Sequence, residues 1–325
     1  MKVLVTGSNG FIGSALVERL IAAGHEVRCL VRRTSDLTWL QGLPVEYVEA
    51  DLNDAQDLGR IVRGAERIYH LAGVTKSRDA AGYLQGNYQT TVQLLEACRA
   101  CGRPDLRFVY VSSQAAAGPS GAAAVEEEDP PRPISLYGRA KLRAEEAVTA
   151  YAQEHFATIV RPPSVYGPRD RDIFVYFKAV ALGVLLLPGD GGQQISLVHV
   201  DDLVDGIILA GETGQARGRV YFLSADDPSD WRSFGAAIAD ALHKKPLVLR
   251  VPLFLMPPVA FFSMLGGRVT GKPALLNRDK VAEMRQPGWV CSNARARREL
   301  GFRPRIGLEA GVAATAAWYR KMGWL

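Results

Sequence analysis

The chain has 325 residues, 48% hydrophobic and 22% charged, which is enough apolar material for a large core and excludes a disordered or fibrous protein. Its net charge of +5 is spread along the sequence, with no basic block interleaved with aromatics, which argues against nucleic-acid binding. Four cysteines at positions 29, 98, 101 and 291 suit a reducing compartment, and no signal peptide precedes the first strand, so the expected location is cytoplasmic.

The first element is a short apolar strand, Lys2-Val3-Leu4-Val5, that runs into Thr6-Gly7-Ser8-Asn9-Gly10-Phe11-Ile12-Gly13. A helix follows over 14–23 with Leu16, Leu20 and Ile21 on one side. Strand, glycine loop and helix in this order form a dinucleotide site. Gly7 makes the tight turn, Gly10 lets backbone amides approach a pyrophosphate, and Gly13 lets helix and strand pack closely. Strands at 27–31, 45–50, 67–71, 108–112 and 158–161 alternate with helices, the clearest being 88–100 and 136–154, which predicts an α/β fold with a Rossmann-type doubly wound parallel sheet. Cys98-x-x-Cys101 ends the helix over 88–100 ahead of Gly102, has no second pair to complete a zinc site, and reads as inert thiols; no metal site is expected.

Tyr137 and Lys141 lie one helical turn apart, downstream of Ser112-Ser113. At i, i+4 the ammonium shares a helix face with the phenol and favours phenolate, bringing an acid of pKa about 10 toward a useful range. Such a tyrosine can exchange a proton with an alcohol oxygen while hydride moves to or from a nicotinamide. After Arg161-Pro162 the rhythm changes. The dinucleotide domain is expected over 1–167, with a return at about 196–224; residues 168–195 and 225–325 form a smaller substrate lobe. That lobe contains the apolar run 251–265, too short and proline-broken for a bilayer span. A buried cap helix is the first reading, ahead of a substrate wall or a membrane-surface patch.

These motifs together resemble the extended short-chain dehydrogenases/reductases of the NAD-dependent epimerase/dehydratase family, over essentially the whole length. The matching residues are the glycine loop, Asp51-Leu52, His70-Leu71-Ala72-Gly73, Ser112-Ser113, Tyr137-x-x-x-Lys141, the run Arg161 to Pro168 and His199-Val200-Asp201-Asp202. The resemblance implies that Ser113, Tyr137 and Lys141 are catalytic. It implies cofactor binding by Gly7, Asn9, Gly10, Phe11, Ile12, Gly13, Asp51, Leu52, Leu71, Ala72, Gly73, Tyr137, Lys141, Pro162 and Ser164. Asp51 would hold the adenine and Lys141 the nicotinamide ribose; Asn87 is either a relay or a structural asparagine. A homodimer through the helices over 88–100 and 136–154 is also implied.

Departures from the family pattern carry information. NAD-preferring relatives end the second strand in an acidic residue, but here Arg32-Arg33-Thr34-Ser35 follows Val31, so Arg32 is expected to contact a 2′-phosphate and NADP(H) to be preferred, with NAD(H) the alternative. Sugar-nucleotide members carry an arginine where Gly189-Asp190-Gly191-Gly192-Gln193-Gln194 leads to Ile195, leaving Arg169, Arg171 or Arg278 to replace it. Gln114-Ala115 replaces the acidic pair of the family's dehydratases, which disfavours elimination of water. The favoured reading is a dehydrogenase/reductase acting on a non-nucleotide, apolar small molecule. The alternative is a nucleotide-sugar epimerase working through a transient ketone; a cofactor-binding sensor without turnover ranks third.

Overall fold

The computed structural model describes residues 1–258, 260 and 278–325. The first half builds β1 (Lys2–Thr6), α1 (Phe11–Ala22), β2 (Glu26–Val31), β3 (Val45–Glu49), α2 (Ala55–Val62) and β4 (Arg67–His70). After β4 come α3 (Ala80–Tyr83), a π-helical turn (Leu84–Gln89), α4 (Thr90–Ala100), β5 (Arg107–Val111), the single turn α5 (Gln114–Ala117) and α6 (Leu136–Ala152). Next follow β6 (Phe156–Arg161), β7 (Ser164–Tyr166), α7 (Phe174–Ala181), β8 (Val184–Pro188), β9 (Gln194–Ile195), β10 (Leu197–His199), α8 (Val200–Glu212) and β11 (Val220–Phe222). The chain closes with β12 (Ser229–Asp230), α9 (Trp231–Leu242), β13 (Leu247–Val251), α10 (Arg278–Met284), β14 (Gly288–Trp289) and α11 (Leu308–Lys321).

Seven strands form one parallel sheet in the order β11-β6-β5-β4-β1-β2-β3. Adjacent residues of β1 enter different cores: Val3 and Val5 pack with Leu16, Leu20 and Ile207 of α1 and α8, while Leu4 packs with Leu58, Leu94 and Val148 of α2, α4 and α6. Both faces are therefore covered, and the strands read as unbroken apolar runs. Strand order reverses between β1 and β4, whose C-terminal ends carry the glycine loop and Leu71; ligands of such sheets bind in the crevice at this point. A separate core joins α7, α9 and α11 through Phe177, Phe234 and Tyr319, and the Tyr319 hydroxyl donates to the Asp170 carbonyl at 2.9 Å.

Cys98 is buried at the end of α4, where Gly102 takes φ +65° and its amide bonds the Arg99 carbonyl. Burial pushes the Cys98 thiol up, so neither redox nor metal chemistry is favoured there, and no metal-binding cluster occurs among the described residues. The apolar run from Val251 matches the expected buried cap helix in part: residues 256–258 and 260 are helical from the prolines on and Ala260 is buried, while the turn before them is exposed. It opens on one 3₁₀ turn, Leu253–Leu255, after Pro252, with Phe254 72% exposed. Composition told how apolar this segment is, and nothing in it told which side faces water. Residues 259 and 261–265 of the run lie outside the described residues. No helix among the described residues is long and apolar enough to cross a membrane.

Candidate active site

The glycine loop is held in place by sterics. Gly7 has φ +69°, and a Cβ there would meet the Ala72 amide at 2.7 Å; a Cβ on Gly13 would lie 2.0 Å from the Gly7 carbonyl oxygen. Both glycines are demanded by the protein's own packing. Gly10 differs: it is extended, a Cβ would meet only the Gly7 oxygen at 3.3 Å, and as the cap of α1 it offers no side-chain partner to the first amides of the helix. Those amides and the helix dipole suit an anion. Phe11 and Ile12 form the first turn of α1 and lie against the core. The Asn9 amide donates to the Asp36 carbonyl at 3.2 Å, tying the loop to the segment after β2.

Under the loop a buried chain of hydrogen bonds fixes the end of β4. Thr91 donates to the Asn87 carbonyl at 2.6 Å and so accepts from Nε2 of His70 at 2.9 Å; Nδ1 then accepts from Thr6, 2.7 Å away, and Thr6 accepts the Ala72 amide at 3.1 Å. His70 is neutral, its pKa lowered to about 3 by burial and by Lys141. Asn87 is likewise saturated, bonding Val74 through its amide and carbonyl and the Tyr83 carbonyl. It staples Leu71-Ala72-Gly73-Val74 to the π-helical turn, a structural duty.

The rim after β2 and β3 is polar. Asp51 accepts the amide and side chain of Asn53 at 2.9 and 2.7 Å, which holds its carboxyl below the usual range, with Arg32 adding to the effect. Leu52 beneath it is buried. Arg32 is exposed, its amide bonded to the Ser35 hydroxyl at 3.0 Å. The nearest carboxylate after β2, Asp36, is turned to Thr38, accepting its amide at 3.0 Å and hydroxyl at 2.5 Å. A phosphate facing Arg32 therefore meets no acidic side chain of this segment.

Ser113 follows β5 and caps α5, accepting the Ala115 amide at 3.2 Å. Gly138 brings Tyr137 to it: a Cβ on Gly138 would lie 2.2 Å from the Ala115 carbonyl, so α6 rests directly on α5. Ser113 lies beside Tyr137, near enough to lower the pKa of the phenol. Ser135 caps α6, and Asp279 of α10 accepts the Leu136 amide at 2.7 Å, clamping this end from the other lobe. Nothing in the sequence marked Asp279 as a positioning group; for Gly138 the available signal was a glycine directly beside the tyrosine.

The expected electrostatics of Tyr137 need correction. Burial dominates and pushes the phenol up to about 12; Ser113 pulls it down, while Glu283 and Tyr83 push it further up. Lys141 is not the group that lowers it. The Lys141 ammonium donates to the Val111 carbonyl at 2.7 Å and sits 4.3 Å above the Tyr110 ring; burial lowers its pKa to about 7, opposed by Glu145. Glu145 forms a buried bidentate pair with Arg161 at 3.0 and 2.6 Å, which locks α6 to the end of β6. Pro162 beyond it is buried, its carbonyl accepting the Gln114 amide at 2.8 Å, and Ser164 begins β7.

The histidine motif is architectural. His199 caps α8 by accepting the Asp201 amide, and Asp202 accepts the Arg305 and Ile306 amides at 3.0 and 2.9 Å. Ile195 is buried in the core of α7, α9 and α11. Of the arginines that could replace one there, Arg169 pairs with Glu18 at 2.6 Å and lies over Trp39, and Arg171 lies over Trp324. The Arg278 side chain lies outside the described residues.

A glycine cradle at a helix N-terminus, with a serine and a tyrosine side by side at the C-terminal edge of a parallel sheet, defines the class: a Rossmann-type dinucleotide enzyme. The NAD dependent epimerase/dehydratase family matches residues 3–223. The chain is 30% identical to a "Ceramide reductase" of Caulobacter vibrioides over 99% of this chain and 96% of that protein. It is also 30% identical to a "2-alkyl-3-oxoalkanoate reductase" of Stenotrophomonas maltophilia over 96% of this chain and 97% of that one. Its fold matches DesIV, a dTDP-glucose 4,6-dehydratase from Streptomyces venezuelae with NAD and TYD bound, at a TM-score of 0.82 and 26% identity over 100% and 98% of the two chains. This chain belongs to the NAD-dependent epimerase/dehydratase family of extended short-chain dehydrogenases/reductases, and it is an enzyme.

Proposed function

We propose that the protein is an NADPH-dependent reductase of a ketone carried on an apolar, non-nucleotide molecule. The observation that carries this reading is the placement of Ser113 beside Tyr137, next to the glycine cradle. Gly10 and the free amides of α1 would hold the pyrophosphate, Asp51 the adenine, and Arg32 a 2′-phosphate, through charge-assisted bonds. Leu71, Ala72, Gly73, Pro162 and Ser164 would line the site, and Lys141 would leave the Val111 carbonyl for the nicotinamide ribose. When bound, the nicotinamide supplies hydride.

The chain's own residues then handle charge and proton. Ser113 donates a hydrogen bond to the carbonyl oxygen as negative charge develops, and Tyr137 delivers the proton from Oη. Burial keeps the phenol protonated near neutrality, as the donor role requires. Two relatives named for reduction of ceramide and of a 3-oxoalkanoate support a long-chain ketone as substrate class. The epimerase reading is weaker because Ile195 is buried and Arg169 and Arg171 are engaged elsewhere. We also propose a homodimer through α4 and α6. Incubating the protein with NADPH and a long-chain 3-oxo ester tests the reaction: stoichiometric loss of NADPH supports it, and substrate isomerisation without net cofactor use overturns it.

A further inference from the structure

We infer that the face formed by β8 and β13 docks on an anionic lipid surface. The two strands form an isolated parallel ribbon in the register Val184↔Leu247, Leu186↔Leu249 and Pro188↔Val251. Leu185 and Leu187 enter the core beneath. The alternation of a strand then puts Val184, Leu186, Pro188, Leu247, Leu249 and Val251 on the outer face, none of them polar, while β13 is exposed on its other face too, at Val248 and Arg250. Leu247 is 65% exposed.

The apolar face continues past both ends of the ribbon. Before β8 the chain turns at Gly183, φ +88°, whose carbonyl accepts the Leu247 amide at 2.8 Å, and Leu182 beside it is 75% exposed. At the other end the Gly189 amide bonds Val251 and Gly189 packs beside Leu253, which leads to the exposed Phe254. Soluble monomers seldom leave apolar patches beyond a few hundred Å² uncovered, and such patches mark contact surfaces.

Charge selects the occupant. The segments that build the face, 178–189 and 241–258, contribute Lys178, Lys244 and Lys245 as its cations; Asp240 and Asp190 stand just outside them, Asp190 paired with Arg232 and close to Arg250. Lys178 lies three residues from Val175 and four from Leu182, on one exposed face of α7, so cations and apolar groups share that side. A second copy would bring like charges together across the contact. Pairing along the open edge of β13 is also blunted, because Lys244-Lys245-Pro246 precedes the strand and Pro252 follows it. Exposed apolar side chains rimmed by lysines fit an anionic bilayer surface, where the former enter the headgroup boundary and the latter meet phosphates.

The test uses the purified full chain and vesicles of phosphatidylcholine, with and without phosphatidylglycerol, in a flotation assay, so it is independent of the proposed reaction. The expected result is binding to the anionic vesicles that weakens with salt. Each surface cation contributes about fivefold to partition, so K244Q/K245Q should lower it about 25-fold. Leu249→Asp and Phe254→Asp should lower it by about tenfold or more, with the melting temperature and NADPH binding as folding controls. Absence of vesicle binding, or binding unchanged in K244Q/K245Q, overturns the inference. So does a dimer that F254D dissociates in a protein that ignores vesicles, since a second copy then covers the face.

Discussion

Alanine at the three loop glycines separates what the fold demands from what a ligand demands. At Gly13 the new methyl would sit 2.0 Å from the Gly7 oxygen and 2.8 Å from its carbon, with backbone on every side. Overpacking of this kind costs about 1–3 kcal/mol, and at roughly 2–4 °C per kcal/mol the melting temperature should fall by roughly 2–12 °C. Gly7→Ala should do as much, because its φ of +69° adds strain to a 2.7 Å contact. Gly10→Ala is the discriminating variant. Its backbone suits an L-residue and its tightest contact is 3.3 Å. Losing a glycine cap costs about 0.5–1 kcal/mol, and the reduced entropy of the unfolded chain returns a similar amount, so stability should be unchanged within about 1 kcal/mol. NADPH affinity should nevertheless drop about 10- to 100-fold, as expected when amide hydrogen bonds to a charged phosphate are lengthened. Thermal melts without cofactor and fluorescence titrations with NADPH measure the two effects. The reasoning is refuted if Gly10→Ala unfolds as readily as Gly13→Ala, or binds NADPH as tightly as the parent.

Arg32→Ala should raise KM for NADPH at least about tenfold and leave KM for NADH unchanged, as steady-state kinetics would show; equal effects on both cofactors would remove Arg32 from the phosphate site. Glu145→Gln strands the Arg161 charge in a buried setting, so stability should fall by about 3–5 kcal/mol in urea titrations, and a loss under about 1 kcal/mol would contradict that assignment. His70 resists protonation down to about 3, whereas in the unfolded chain it protonates near 6.5. Stability present at neutral pH should therefore be lost as pH falls from about 6.5 toward 3, by on the order of 5 kcal/mol. His70→Asn should be less stable at pH 7 but flatter across that window; a parallel profile would rule out His70 as the source.

Sequence periodicity located the sheet strands and main helices because parallel strands covered on both faces are unbroken apolar runs and their helices repeat near 3.6 residues. The candidate site residues were picked out through fixed spacings within single elements, as in Tyr137 and Lys141 on α6. What could not be read depends on contacts between distant elements. Lys141 turns to the Val111 carbonyl, 30 residues away, and Asp279 caps α6 from 143 residues downstream. Gly138 looked like any helical glycine until α5 was placed beneath it. In the run after Val251 the helix from the prolines was legible, but the exposure of Phe254 just before it is a property of its neighbours.

Tyr137→Phe tests the central claim most directly, because it removes one oxygen and leaves the ring in place. With NADPH and a long-chain ketone, the variant should lose about 100-fold or more in kcat while binding NADPH as the parent does. Turnover within a few-fold of the parent would contradict the role of Tyr137 as the proton donor.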